Sequence, residues 1–164
     1  MVARRRDPLA DPEPLIRRVY AYVAYVVGSG PDAEDQTSDA IERAVRYRES
    51  YDPSKGTPSA WLIGIARRCI TDRHGEPPPL PDDVLEQLPD PREDVTNAVD
   101  RLAVQAAVAT LAPRDRELIA LRYAADLSTR QIGELLDLAP NAVDVALHRA
   151  LARLRTALAA DFAA

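Results

Sequence analysis

Residues 127–149 constrain the fold more than any other stretch, because two helical periodicities stand there with only a tight turn between them. Ile132, Leu135 and Leu136 fall on one face of a short first helix. Val143, Leu147, Ala150, Leu151 and Leu154 recur at three- and four-residue steps on a second. Such a pair reads as a helix-turn-helix whose second helix keeps its outer face free for a DNA groove.

Length and composition limit what can surround this element. With 164 residues, 46% apolar and 5% aromatic, the chain can bury one or two small cores and is too short for a large enzyme. Alanine and leucine dominate with few β-branched alternations, so an all-α fold is expected. No stretch approaches the roughly 20 apolar residues of a membrane span, and no signal-type apolar run follows Met1. A cytoplasmic address without membrane insertion is therefore expected. The single cysteine, Cys69, excludes an internal disulfide; with only His74 and His148 beside it, a dedicated zinc site is not expected. Cys69 is expected to pack as a small apolar residue. No nucleophile–base constellation, glycine-rich phosphate loop or metal-ligand spacing occurs, so neither catalysis, cofactor nor metal is expected.

The net charge of −5 looks wrong for a DNA binder until it is divided along the chain. Residues 1–76 carry 12 basic and 12 acidic side chains, and residues 102–164 carry 7 of each. Residues 77–101 carry 2 and 7, so the whole acidic excess sits in one proline-rich segment. An extended linker over 77–100 follows, separating domains over 1–76 and 101–164. Read from its residues, the linker is either a solvated spacer or a strand that replaces a phosphate backbone in a basic channel.

Three helical patterns occupy the first domain. Residues 14–27 place Ile16, Val19, Tyr20, Val23, Val26 and Val27 on an apolar face, stopped at Gly28. Asp32 offers an N-cap for a second helix, with Ala33, Thr37, Ala40, Ile41, Ala44 and Val45 inward. Asp39 with Arg43 and Glu42 with Arg46 stand at i,i+4 on its outer side. After a loop over 52–58, Ser59 can cap a third helix through Trp61, Leu62, Ile65, Ala66, Cys69 and Ile70, with Arg67, Arg68 and Arg73 outside.

These residues also carry a family resemblance. Asp32-Ala33-Glu34-Asp35 with Thr37, Asp52-Pro53 with Lys55-Gly56, Ala60-Trp61-Leu62, Ile65-Ala66-Arg67 and Asp72-Arg73 resemble region two of an extracytoplasmic-function (ECF) sigma factor. Leu111-Ala112-Pro113-Arg114-Asp115-Arg116-Glu117, Leu121-Arg122-Tyr123, Ile132-Gly133-Glu134-Leu135-Leu136 and Leu147-His148-Arg149-Ala150 resemble region four, in the family order. The resemblance implies two small helical domains and a dissociable subunit that directs bacterial RNA polymerase to promoters. It implies core polymerase, through the clamp helices of its largest subunit and its flap, as one partner and promoter DNA as another.

By position, the resemblance implies a polymerase-docking surface at Asp35, Thr37, Ser38, Asp39 and Arg43. It implies −10 DNA contacts at Lys55, Ser59, Arg67, Arg68 and Arg73, with Trp61 in the core. It implies −35 contacts at Arg130, Asn141, Ala142, Asp144, Val145, His148 and Arg149, with Asn141 and His148 at base edges. It also favours the channel-filling reading of the linker.

The departures from the family pattern bear on the same sites. Ala139, Asp144, Val145 and Ala146 stand where the family usually has a serine cap, a lysine, a serine and an arginine. Phosphate-binding charge is removed there, so the second domain reads an unusual element or binds DNA weakly. A sigma-like regulator with altered DNA recognition is the alternative reading. Arg153 and Arg155 divide equally between a solvated face and DNA contact. Tyr22, Ala24 and Tyr25 suggest an added apolar surface on the first helix, for a closed form or an anti-sigma partner. The alanine-rich end reads as a fraying helix, and its final Ala163-Ala164 resembles bacterial degradation tags.

Overall fold

The computed structural model describes residues 7–78 and 98–163, which fall into two compact units, Met1–Glu76 and Pro77–Ala164. Most of the acidic linker and Ala164, with the expectations attached to them, lie outside the described residues. Every regular element among the described residues is helical, as expected. No helix among them is long and apolar enough to cross a membrane.

Unit one packs α1 (Pro12–Val27), α2 (Pro31–Tyr47) and α3 (Pro58–His74) mutually, with a 3-10 turn over Arg48–Ser50. Each helix opens on a proline, whose fixed φ suits the first turn and whose missing N–H would lack a helical partner anyway. This preference corrects two expected caps. Gly30, not Asp32, precedes α2, leaving Asp32 inside its first turn. Thr57, not Ser59, caps α3: its hydroxyl accepts from the Ala60 N–H at 3.2 Å.

The core faces are also partly rearranged. Val19, Tyr22 and Val23 are the buried residues of α1, whereas Ile16 is 40% exposed. Tyr22 is fully buried, so it contributes to the core and not to the added surface expected of it. On α2 the buried stripe is Ala33, Gln36, Thr37, Ala40 and Ala44, and Val45 turns outward. Small residues on this face let α2 approach its neighbours closely; Leu62, Ile63 and Ala66 of α3 fill the space between. Cys69 is buried among them as expected.

In unit two, α4 (Ala98–Ala109), α5 (Pro113–Ile119) and α6 (Thr129–Leu136) all pack on the long α7 (Pro140–Phe162). Past Ile119, the chain widens into a π-helical turn over Ala120–Ala124, with the Ala125 N–H reaching back five residues to the Ala120 carbonyl at 2.9 Å. Arg122 donates to the Leu127 carbonyl at 3.2 Å and so pins the approach to α6. Leu118, Leu121, Ile132, Val143 and Ala150 make the centre of this core.

Candidate nucleic-acid interface

The turn between α6 and α7 is built by local chemistry. Ser128 and Gln131 form a reciprocal capping box, with the Gln131 N–H on Ser128 Oγ at 3.2 Å and the Ser128 N–H on Gln131 Oε1 at 2.9 Å. Asp137 takes the left-handed conformation, φ 57°, that a short polar residue tolerates. The Leu138 N–H then returns to the Gly133 carbonyl at 2.8 Å. A Cβ on Gly133 would lie 2.5 Å from the Leu138 carbonyl oxygen, so only glycine lets the turn close this tightly. Ala139 supplies no side-chain cap to α7, and Pro140 opens the helix instead.

This turn sets which face of α7 is outward. Val143, Leu147, Ala150 and Leu154 are buried, while Asn141, Ala142, Asp144 and Val145 are exposed and His148 and Arg149 half-buried. All six outward residues thus share one end of α7, on the side away from the core. Arg130 stands exposed on α6, paired with Glu134 at 3.4 Å. Arg153 does not join the face: its guanidinium donates to both oxygens of the fully buried Asp115, each at 3.1 Å, tying α7 to α5. Arg114 and Glu117 pair at 2.8 Å within α5.

Unit one offers a loop and a basic helix. Buried Tyr51 meets Trp61 edge-on, ring centroids 5.5 Å apart, and donates to the Gly56 carbonyl at 2.9 Å, holding the two ends of the loop together. Within it Asp52 Oδ1 accepts from the Ser54 N–H and hydroxyl, an Asx turn that leaves Lys55 exposed at the tip. Arg68 is exposed on α3 and, like Lys55, makes no ion pair among the described residues.

The other expected −10 contacts are already engaged. The Ser59 hydroxyl accepts from Arg18 of α1 at 3.0 Å. Arg67, its side chain only 13% exposed, is in close contact with the Glu76 carboxylate. Arg73 lies 3.3 Å from Asp32, whose other oxygen accepts from Gln36 at 2.9 Å. These partners were not legible from local spacing, because each arginine meets a carboxylate brought to it by packing or by the turn after α3.

The expected polymerase-docking residues divide similarly. Asp35, Ser38 and Asp39 are exposed on α2. Thr37 is 7% exposed, with its hydroxyl donating back to the Ala33 carbonyl at 2.7 Å, so it is not on the surface strip. Arg43 donates to Asp72 of α3 at 2.9 Å in place of the expected partner Asp39. That hydrogen bond, more than any other influence, raises the Arg43 pKa. The Glu42–Arg46 pair forms as expected, at 3.0 Å. Beside the strip, a cleft of about 580 Å³ opens between α1 and α2, lined by Pro12, Ile16, Tyr20 and Thr37. Ile16 and Tyr20, expected on the apolar face of the first helix, are the apolar wall of this cleft.

Comparison with known proteins assigns both units. The Sigma-70 region 2 family matches residues 13–75, and the Sigma-70 region 4 family matches residues 101–154. The chain is 32% identical to the ECF RNA polymerase sigma factor ShbA of Streptomyces griseus over 67% of this chain and 61% of that protein. It is 28% identical to the ECF RNA polymerase sigma factor BldN of Streptomyces coelicolor over 87% of this chain and 57% of that protein. The chain thus spans about 60% of the length of these relatives. In fold it resembles the sigma factor RpoE of Bartonella quintana, solved with the anti-sigma factor NepR, with a TM-score of 0.65 and 20% identity over 90% of this chain and 94% of that one. With both regions present and in order, the chain belongs to the ECF group of sigma-70 family RNA polymerase sigma factors.

Proposed function

We propose that this chain binds core RNA polymerase and directs it to specific promoters, without performing chemistry itself. The observation that carries the proposal is the pairing of a region 2 unit with a region 4 unit whose helix-turn-helix leaves the start of α7 exposed. In this reading the α2 strip of Asp35, Ser38 and Asp39, with Arg43, docks the clamp helices of the largest polymerase subunit, and region 4 also meets the flap. Lys55 and Arg68 meet −10 phosphates at once, while Arg67 and Arg73 exchange a carboxylate for a phosphate when DNA arrives. The start of α7 enters the major groove of the −35 element. The acidic segment couples the two units. An anti-sigma partner belongs to the same proposal, supported by the fold shared with RpoE, which is solved bound to one.

Asp144 and Val145 on the exposed face favour a second reading, a polymerase-binding regulator with weakened DNA recognition. Transcription by bacterial core polymerase on genomic fragments, with 5′ ends mapped with and without the chain, separates the two. New starts behind a shared two-part motif, lost in Arg68→Ala, are the expected result. Polymerase binding with no new starts would leave the second reading, and no binding would end both.

A further inference from the structure

Region-four recognition by cations alone does not fit the exposed start of α7, which presents one carboxylate and a stretch of apolar surface. At 3.6 residues per turn, Val145 stands about 200° round the helix from buried Val143, almost opposite the core. It is 46% exposed, with Ala142 beside it one turn earlier. Asp144 lies on the flank, exposed, and forms no hydrogen bond or ion pair among the described residues. Asn141 to His148 covers about 10 Å of helix axis, the rise of roughly three base pairs.

Major-groove chemistry restricts what such a face can accept. Guanine offers only acceptors there, thymine an acceptor and a methyl group, adenine an acceptor beside a donor, and cytosine a donor amine. A carboxylate is repelled by every acceptor and by the phosphates lining the groove. Cytosine is the base whose edge gives it a donor with no adjoining acceptor. An apolar branched side chain has its match in the thymine C5-methyl group. We infer that Asp144 and Val145 are the specificity-determining residues of this helix: Asp144 accepts from the N4 amine of a cytosine, and Val145 packs on the methyl of a neighbouring thymine. Arg149, half-buried and without an ion pair, holds the adjacent backbone. The inference rests on the proposal that α7 enters a major groove, and it turns an apparent loss of binding charge into base selection.

The test uses the full chain with bacterial core polymerase on linear templates randomised across the upstream element, sequencing the templates that yield transcripts. The wild type is expected to enrich a motif in which one column prefers cytosine by roughly tenfold. Asp144→Ala flattens that column and leaves the others. Asp144→Asn, which can both donate and accept, moves it toward adenine. Val145→Ala flattens a neighbouring thymine column, and deoxyuridine at that position lowers initiation by the wild type but not by Val145→Ala. A motif whose columns ignore both residues would overturn the inference while leaving the proposed function standing. No enrichment over core polymerase alone would overturn both.

Discussion

The two units handle charge in opposite ways. In unit one, Arg43, Arg67 and Arg73 meet Asp72, Glu76 and Asp32, carboxylates that stay 43–62% exposed, where water and salt weaken each pair. In unit two, Asp115 and Glu117 are 0% and 2% exposed, and each is held by an arginine, Arg153 of α7 and Arg114 of α5. Pairs of the first kind can be exchanged for a phosphate at small cost. Pairs of the second kind cannot, because a buried carboxylate deprived of its partner has no water to fall back on. Similar ion-pair chemistry therefore serves a replaceable role in one unit and a structural role in the other.

The sharpest way to break this contrast is Asp115→Ala. It leaves the Arg153 guanidinium facing an emptied buried site, and unit two is expected to lose about 2–3 kcal/mol, toward the low end for a buried pair because Arg153 stays one-third exposed. The chain has one tryptophan, Trp61, in unit one. Urea unfolding followed by tryptophan fluorescence thus reports unit one, whereas far-UV circular dichroism reports both. The expected result is an earlier circular dichroism transition with an unmoved fluorescence transition. A shift in both would show that the units do not unfold separately.

Gly133→Ala probes the other structural demand of unit two. The added methyl collides with the Leu138 carbonyl, and backbone has to move, at about 2 kcal/mol. Upstream promoter recognition should fail before the fold does, because the displaced element is the α6–α7 turn itself. Unchanged start-site selection in this variant would show that the turn tolerates the shift.

The contrast also explains what could be read from the sequence. The helix-turn-helix was legible because its signals are local, the apolar steps of Ile132, Leu135 and Leu136 and the three- and four-residue steps of α7, whereas the Ser128–Gln131 capping box and the tight approach at Gly133 emerged only in the structure. The all-α class followed from the same periodicities. Helix starts were misplaced at Asp32 and Ser59, where a proline outweighed a good capping residue. Tyr22 and Tyr20 exchanged roles because two tyrosines on one helix differ only in which neighbour they meet. The polar contacts between distant residues were least legible. Arg153 and Asp115 are 38 residues apart, and Arg18 reaches Ser59 across 41. Only packing brings such groups together.

Glu76→Gln sharpens the unit-one half of the comparison. It removes the Glu76 charge facing Arg67 while keeping the side chain's shape, so a phosphate competes with less negative charge for the arginine. Single-stranded −10 DNA should bind the polymerase complex roughly twofold to fivefold tighter at low salt, the worth of a pair whose carboxylate is open to water. Unchanged affinity would remove Arg67 from the DNA-contacting set.

The smallest expected effect is a pH dependence confined to unit one. Burial is the leading cause that raises the Cys69 thiol pKa above its ordinary 9.0; Asp39 and Asp72 add to it, and Arg43 opposes them. A group whose folded pKa is raised contributes stability that is intact below the unfolded value and is lost as pH climbs through the folded one. Stability by Trp61 fluorescence should therefore fall as pH rises past 9.0, and fall less steeply in Cys69→Ala. Unit two has no cysteine, so its transition should show no difference between the two proteins. Equal slopes for wild type and variant in unit one would mean that Arg43 offsets the burial in full, making that surface pair a stronger structural element than the contrast between the units allows.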